Sequence, residues 1–218
     1  MLSKTLLVCG ILSALLYAAM LVFVPMRWPV YSSAAHTVSE LSAIGAPTRS
    51  LWVSLGVVWA LLYAAFGWGV WRSAGPSRSL RVAGGVIIVA VLFGLFWPPM
   101  HQREVLAAGG ATLTDTLHIA WTAVNGVLTL LAMGFAAAAL GKRSRVYSIA
   151  TMVILVAAGA VTSLDAPRMQ ANLPTPWIGV WERVNIGVWL LWIVVLAVTL
   201  LRRAPRHAAA AAPWEAGG

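Results

Sequence analysis

The sequence has few charged residues and one cysteine. Only 10% of its 218 residues are Asp, Glu, Lys or Arg, whereas a soluble domain has roughly a quarter. This shortage excludes a water-soluble globular domain, because so few polar side chains cannot cover a water-facing exterior. The single cysteine, Cys9, has no partner for an intramolecular disulfide, so no covalent cross-link holds the fold together.

Acidic residues are especially scarce, and apolar residues take up most of the chain. Hydrophobic residues make up 61% of the sequence, and the mean hydropathy is +0.85. Fifteen Lys and Arg against six Asp and Glu give a net charge of +9. In a membrane protein this excess is explained by basic residues that collect in cytoplasmic loops. We therefore predict an integral membrane protein without a nucleic-acid partner.

Charges are costly at the centre of a bilayer, so the uncharged intervals between them bound the membrane spans. Each of these intervals is apolar and long enough to cross a bilayer as a helix. The pattern predicts an all-α fold, a polytopic bundle of six transmembrane helices. The predicted spans are Thr5 to Met26, Ser50 to Trp71, Val82 to Met100, Thr116 to Gly141, Val146 to Leu164 and Val184 to Leu201.

The basic residues predict the orientation of the bundle. Six spans place both termini on one side, and that side carries ten Lys and Arg in its loops and tails against five on the other. The positive-inside rule then predicts a protein of the cell membrane with both termini in the cytoplasm. Residues 1–201 form one predicted membrane domain. Residues 202–218 are predicted to be a basic, disordered cytoplasmic tail.

The loop after the first span has a helical pattern of its own. Ser32 or Ser33 can cap a helix, and Gly45 with Pro47 can end it. We therefore expect a short amphipathic or re-entrant helix between the first and second spans. On such a helix His36 and Glu40 share one face. The alternative is that this face is simply wetted at the membrane interface.

The fourth span carries one continuous polar stripe. Asp115, His118, Thr122, Asn125 and Thr129 recur at offsets of 0, 3, 7, 10 and 14. Lipid cannot satisfy these groups, so the stripe is expected to face the bundle interior. The hydroxyl and amide groups favour hydrogen bonds between helices, whereas the two ionisable groups favour a site.

The last span opens with a second polar group of side chains. Glu182 and Asn185 lie on one face, and Arg183 points about a hundred degrees away from them. Arg183 is therefore expected to reach the interface or to pair with an acid of the outer loops.

Four short motifs carry a resemblance to a known family. They are Val38 to Pro47, Trp97-Pro98-Pro99 with His101, Asp115 to His118, and Gly179 to Arg183. The chain resembles the uncharacterised bacterial and archaeal integral membrane family catalogued as domain of unknown function 998. The resemblance implies a multi-helix membrane bundle with Glu40, His118 and Glu182 on motif positions. Many members have an Asp after the proline of the second motif, where this chain has Pro99-Met100-His101.

We interpret the acidic and histidine residues of the outer half as an intramembrane enzyme site. It would act from the outer leaflet on a membrane lipid or another apolar small molecule, with an acid and a base tuned by a half-dry cavity. The predicted catalytic residues are Glu40, His118, Glu182 and Asp115. The predicted substrate-binding residues are His36, Asn125, Asn185 and Arg183.

Two alternatives to the enzyme, and one variant of it, stay open at this point. The outer charges can form a non-catalytic lid, in which Glu40 or Glu182 pairs with Arg168 or Arg183. A small-molecule transporter is the second, although the inner halves of the spans have no carboxylate or imidazole for a proton relay. No cofactor is predicted, although a variant of the enzyme interpretation has a divalent metal bound by some of the outer acids and histidines. These are His36, Glu40, His101, Asp115, His118 and Glu182. The oligomeric state is left open.

Overall fold

A computed structural model of the protein describes residues 2–210, and the side chains of residues 2–203. Within this part of the chain the regular structure is helical, and β-structure is limited to one bridge between Ile44 and His101. The helices are α1 (Leu2–Phe23), α2 (Arg49–Arg72), α3 (Arg78–Gly94), α4 (Arg103–Ala107), α5 (Leu113–Ala139), α6 (Lys142–Gln170) and α7 (Ile178–Ala210). Two 3₁₀ turns cover Pro25–Arg27 and Ser39–Ser42.

Five of the described helices are long and apolar enough to cross a membrane, namely α1, α2, α5, α6 and α7. The chain is therefore helical and membrane-compatible, as predicted, but the count of six spans is not confirmed. The exception is α3, which has 17 residues and ends at Gly94 rather than near Met100. Pro98 and Pro99 explain the early end, because proline lacks an N–H and disfavours helix in the residue before it.

The prediction of a short amphipathic or re-entrant helix between α1 and α2 is wrong, since the only helical element in residues 28–48 is the four-residue 3₁₀ turn Ser39–Ser42. Backbone groups that a helix would use are engaged elsewhere. The Thr37 N–H donates to Glu40 Oε2 at 2.7 Å, and the Thr37 carbonyl accepts from the Tyr31 hydroxyl at 2.8 Å. Gly45, with φ of +86°, then turns the chain toward α2.

The last helix is longer than the last predicted span. It continues past Leu201 to Ala210, so residues 202–210 of the predicted disordered tail are helical. The rest of that predicted tail, residues 211–218, lies outside the described residues.

Six helices form a closed ring, and we call them the long helices. They are α1, α2, α3, α5, α6 and α7. Each helix packs against the next long helix along the chain, and α7 packs against α1 to close the circle. The short α4 packs against α6 at one end. A ring of six helices encloses a central space that side chains fill only in part.

Close contact between helix backbones holds one side of this ring. A Cβ atom on Gly84 of α3 would lie 2.6 Å from the Trp71 nitrogen and 2.8 Å from the Gly67 oxygen. Only glycine permits this approach of α2 and α3, the kind of small-residue contact that drives helix association in a membrane.

Aromatic rings fill much of the remaining centre. Tyr17, Trp59, Tyr63 and Trp189 pack with ring centroids 5.3 to 6.0 Å apart. Such pairs each contribute about 0.5–1.5 kcal/mol beyond the area they bury. They tie α1, α2 and α7 together across the ring.

Gly84→Ala is expected to lower the free energy of unfolding by about 1–3 kcal/mol, because the new methyl group meets backbone atoms that cannot move aside. The measurement is thermal or denaturant unfolding in detergent. Gly134→Ala on α5 is the matched control, since a Cβ atom there meets nothing within 4 Å. Equal stability of the two variants would contradict the close packing of α2 against α3.

Candidate functional site

The loops at one end of the ring fold into a single layer, which we call the cap. It consists of residues 24–48, 95–112 and 171–177. The Ile44 N–H donates to the Met100 carbonyl at 2.7 Å, and the Gly179 N–H donates to the Ala34 carbonyl at 2.9 Å. A Cβ atom on Gly179 would lie 2.2 Å from the His36 oxygen, so α7 starts where only glycine fits beneath the first loop.

A buried ion pair lies at the centre of the cap. Arg103 Nε donates to Glu40 Oε1 at 2.7 Å, and Nη2 donates to Oε2 at 2.9 Å. Glu40 is 2% exposed and Arg103 is 7% exposed. The bidentate geometry and the two further hydrogen bonds that Thr37 gives to Oε2 satisfy the carboxylate. Glu40 is thus fully engaged within the cap.

The rest of the Arg103 guanidinium connects the other loops. Nη1 donates to the Thr175 hydroxyl at 3.3 Å, and Nη2 also donates to the Ala35 carbonyl at 3.1 Å. The Thr175 hydroxyl donates to the same carbonyl at 2.9 Å. One side chain of α4 therefore connects the loop before α2 to the loop before α7.

Asp115 has a comparable structural position at the start of α5. Its carboxylate forms a capping box with Thr112, accepting that residue's N–H at 2.8 Å. It also accepts the Thr112 hydroxyl at 3.1 Å and the His101 N–H at 2.7 Å, and lies 2.9 Å from His101 Nδ1. Four contacts occupy this carboxylate, which ties the segment after α3 to the first turn of α5.

Arg183 fixes the first loop from the other side. Its Nη1 donates to the Ser33 carbonyl at 2.7 Å, and its Nη2 donates to the Tyr31 hydroxyl at 2.8 Å. Burial raises the pKa of Tyr31 to about 12, so its hydroxyl stays protonated and donates to Thr37. The His36 ring stacks on Tyr31 at 5.2 Å and accepts the Ser32 N–H.

Beneath the cap lies a cavity of about 720 Å³. It is bounded by the halves of all six long helices that are nearest the cap, and its wall is mostly apolar and aromatic. Trp52, Trp59, Tyr63 and Trp189 are part of that wall. At the far side Phe66, Met133 and Ile193 are each 0% exposed, so a packed core closes this end.

A small number of polar groups line the cavity. Glu182 is the one carboxylate among the described lining residues, and Val38 N–H donates to its Oε2 at 2.5 Å. No Lys, Arg or His nitrogen of the described side chains lies within 4 Å of it. Asn185 donates to the Leu155 carbonyl at 2.7 Å, and Asn125 lies on the opposing wall.

His118 lies at the edge of the cavity nearest the cap and is 8% exposed. Its Nδ1 lies 2.7 Å from the Pro98 carbonyl and 3.1 Å from the Trp97 indole nitrogen. The two contacts need opposite states of Nδ1, because the Pro98 carbonyl only accepts a hydrogen bond and the Trp97 indole N–H only donates one. The shorter contact favours a proton on Nδ1. In that tautomer Nε2 carries the lone pair and can accept a proton.

The structure divides the eight predicted site residues into two groups. His118, Glu182, Asn125 and Asn185 line the cavity. Glu40, Asp115, His36 and Arg183 make contacts within the cap or at its edge. Four of the five stripe residues of the fourth span face the cavity, as the spacing predicts, and Asp115 does not. Their catalytic or binding roles stay predictions.

Among the described side chains no three His, Cys, Asp or Glu residues are grouped so that they could hold a metal ion. His101 is turned to Asp115, and Glu40 is turned to Arg103.

A comparison with protein-family models identifies residues 11–199 with the family described as protein of unknown function, DUF998. The chain belongs to this family. A search of curated proteins and a search of solved structures gave no match. The membership agrees with the resemblance of the sequence motifs, all four of which contribute a residue to the cavity wall of this DUF998 protein.

Sequence reasoning missed the residue that holds the cap together. It expected Arg168 or Arg183 as the partner of Glu40, but Arg168 donates to the Pro174 carbonyl and the partner is Arg103. A usable signal was present, because Arg103 is the first Lys or Arg after the Trp97-Pro98-Pro99 motif. Arg49 was also missed, although it lines the cavity.

Glu40→Gln is expected to lower the free energy of unfolding by about 3–5 kcal/mol, because it leaves the Arg103 guanidinium buried without its counter-charge. The measurement is unfolding of the detergent-purified protein. Glu104→Gln is the control, since Glu104 is exposed on α4. A double variant with methionine at positions 40 and 103 should recover part of the loss. Stability unchanged in Glu40→Gln would refute the structural role of the pair.

Proposed function

We propose that this DUF998 protein binds an amphipathic or apolar molecule in the central cavity, which the cap covers. The observation that carries the proposal is the cavity itself, with an apolar and aromatic wall and a few polar groups near the cap. Its volume of about 720 Å³ lies within the range of roughly 300–1,000 Å³ typical of small-molecule sites.

The proposed setting is the cell membrane, crossed several times, with both termini in the cytoplasm and the cap on the outer side. The charge distribution supports this orientation, because most Lys and Arg fall in the loops at the opposite end. The cavity would then lie at the depth of the outer leaflet, where membrane lipids and dissolved apolar molecules are available to it.

The closed end of the cavity favours binding over passage through the protein. The packed core around Phe66 separates the cavity from the other end of the ring. Hydroxyl groups in that half donate to carbonyls of their own helices, as Ser13 does to Gly10 and Thr199 does to Val195. They do not supply a chain of free polar groups for a transported ion.

Filling the cavity tests the proposal. A Cβ atom on Gly56 meets nothing within 4 Å, and Gly56 lies on the cavity wall between Trp52 and Trp59. Gly56→Leu should therefore fold normally and weaken binding at least about tenfold, or about 1.4 kcal/mol. The measurement is native mass spectrometry with lauroyl amphiphiles that carry neutral, anionic, cationic and zwitterionic headgroups.

Gly134→Leu is the matched control, because Gly134 has equal space and lies outside the cavity wall. It should bind the amphiphiles as the wild-type protein does. The proposal fails if the wild-type protein binds none of the amphiphiles, or if Gly56→Leu binds them unchanged.

A second candidate function is catalysis on the bound molecule. It is favoured by one observation, that His118 and Glu182 line the same cavity. An imidazole with Nε2 as acceptor and a carboxyl group without an ion-pair partner are a suitable base and acid. Neither Glu40 nor Asp115 is available for this role, since their oxygens are occupied.

If the protein is an enzyme, wild-type protein in nanodiscs should convert a component of a membrane lipid extract, detected by mass spectrometry. Glu182→Gln and His118→Gln should each lower the rate at least about a hundredfold, the size of a general acid–base contribution. Glu104→Gln should have no effect. Conversion that persists in both cavity variants would exclude this pair as the acid and base.

A further inference from the structure

Two opposite charges reach the cavity on either side of one short turn. The 3₁₀ turn Ser39–Ser42 is the part of the cap that borders the cavity, and both of its serines line the cavity. Glu182 approaches the start of the turn, and Arg49 approaches its end.

At the start of the turn, Glu182 is held by backbone donors. The Val38 N–H donates to Oε2, and the Ser39 N–H also faces the carboxylate. The neighbouring cation, Arg183, is turned away to the Ser33 carbonyl and the Tyr31 hydroxyl. The carboxylate is thus positioned on the cavity wall without an ion-pair partner among the described side chains.

At the end of the turn, Arg49 is likewise a charged group held by the backbone of the turn. Its Nη1 donates to the Ser42 carbonyl, and its side chain lines the cavity. No carboxylate of the described residues lies within 4 Å of the guanidinium. A 3₁₀ turn rises about 2 Å per residue, so anchor points four residues apart, Val38 and Ser42, are separated by about 8 Å.

We infer that the cavity takes a zwitterionic amphiphile, with its cationic group at Glu182 and its anionic group at Arg49. This inference rests on the proposed function and names the ligand class of the same site. A charge in a partly dehydrated cavity carries a desolvation cost unless it has an ion-pair partner. A zwitterion with a short linker pairs both charges at once, whereas a purely anionic headgroup would also face Glu182 and a purely cationic one would also face Arg49.

The other groups around the turn agree with this assignment. Oxygens and amides at Ser39, Ser42 and Asn125 can hydrogen-bond to a headgroup. The wall beyond them is formed by Val53, Trp59 and other apolar side chains. A soluble zwitterion would leave that wall uncovered, so an acyl or alkyl chain is part of the ligand class.

The test compares lauroyl compounds that differ only in the headgroup, by native mass spectrometry of the purified full-length protein. They are lysophosphatidylethanolamine, lysophosphatidic acid, lauroylcholine and monolauroylglycerol. The zwitterionic compound is expected to bind at least about tenfold more tightly than each of the others. Glycerophosphoethanolamine, which has the headgroup and no chain, is expected to show no binding.

Charge variants then assign the two ends. Glu182→Gln keeps an oxygen for the Val38 N–H and should remove the preference for the zwitterion over the anion. Arg49→Gln should remove the preference for the zwitterion over the cation. Arg27→Gln is the control, because Arg27 is exposed and does not line the cavity. Unfolding temperatures show whether each variant is folded, and the wild-type ranking does not depend on the variants.

Equal binding of all four headgroups by the wild-type protein, or an unchanged ranking in both folded variants, would overturn the zwitterion assignment and leave cavity binding intact. Tighter binding of the anion or the cation than of the zwitterion would overturn it too. Failure of every amphiphile to bind would overturn the proposed function itself, and this inference with it.

Discussion

The ion pair between Glu40 and Arg103 is the interaction on which the cap depends. It joins three stretches of chain that are far apart in the sequence, because Arg103 also reaches Ala35 and Thr175. By fixing Glu40 it fixes the 3₁₀ turn Ser39–Ser42, which presents its first N–H groups to Glu182 and its last carbonyl to Arg49. The geometry of the proposed binding site thus depends on a pair that lies outside the cavity. Removing one partner would leave a buried charge unpaired, which makes such pairs costly to break.

The cavity exists because of how the helices meet. Close backbone contact at Gly84 and Gly67 draws α2 and α3 together on one side of the ring, while contacts between aromatic rings join α1, α2 and α7. The prolines after α3 end that helix early, and the following segment turns into the cap rather than extending the ring. In a membrane the lipid side of each helix is as apolar as its core side, so packing shape rather than hydrophobic burial decides where space remains.

The polar residues of the protein fall into two groups according to how many of their hydrogen-bonding groups are occupied. Glu40, Asp115 and Arg183 use most of their capacity within the cap, as buried structural groups do. Glu182 and His118 face the cavity and retain capacity to bind a ligand or move a proton. Ionisable groups at membrane depth are rare and are usually functional. The distinction therefore separates residues that hold the site in place from residues that can contact its ligand.

The sequence by itself determined that the protein is helical and membrane-compatible, that it belongs to its family, and that four of the five polar stripe residues on α5 face the cavity. These properties follow from hydropathy, motifs and helical periodicity, which are local. Tertiary structure alone decided that Glu40 pairs with Arg103 and that residues 28–48 form turns rather than a helix. Each of these depends on contacts between segments distant in the chain, or on competition between a local hydrogen bond and a remote one. The periodicity of a single segment carries no information about that competition.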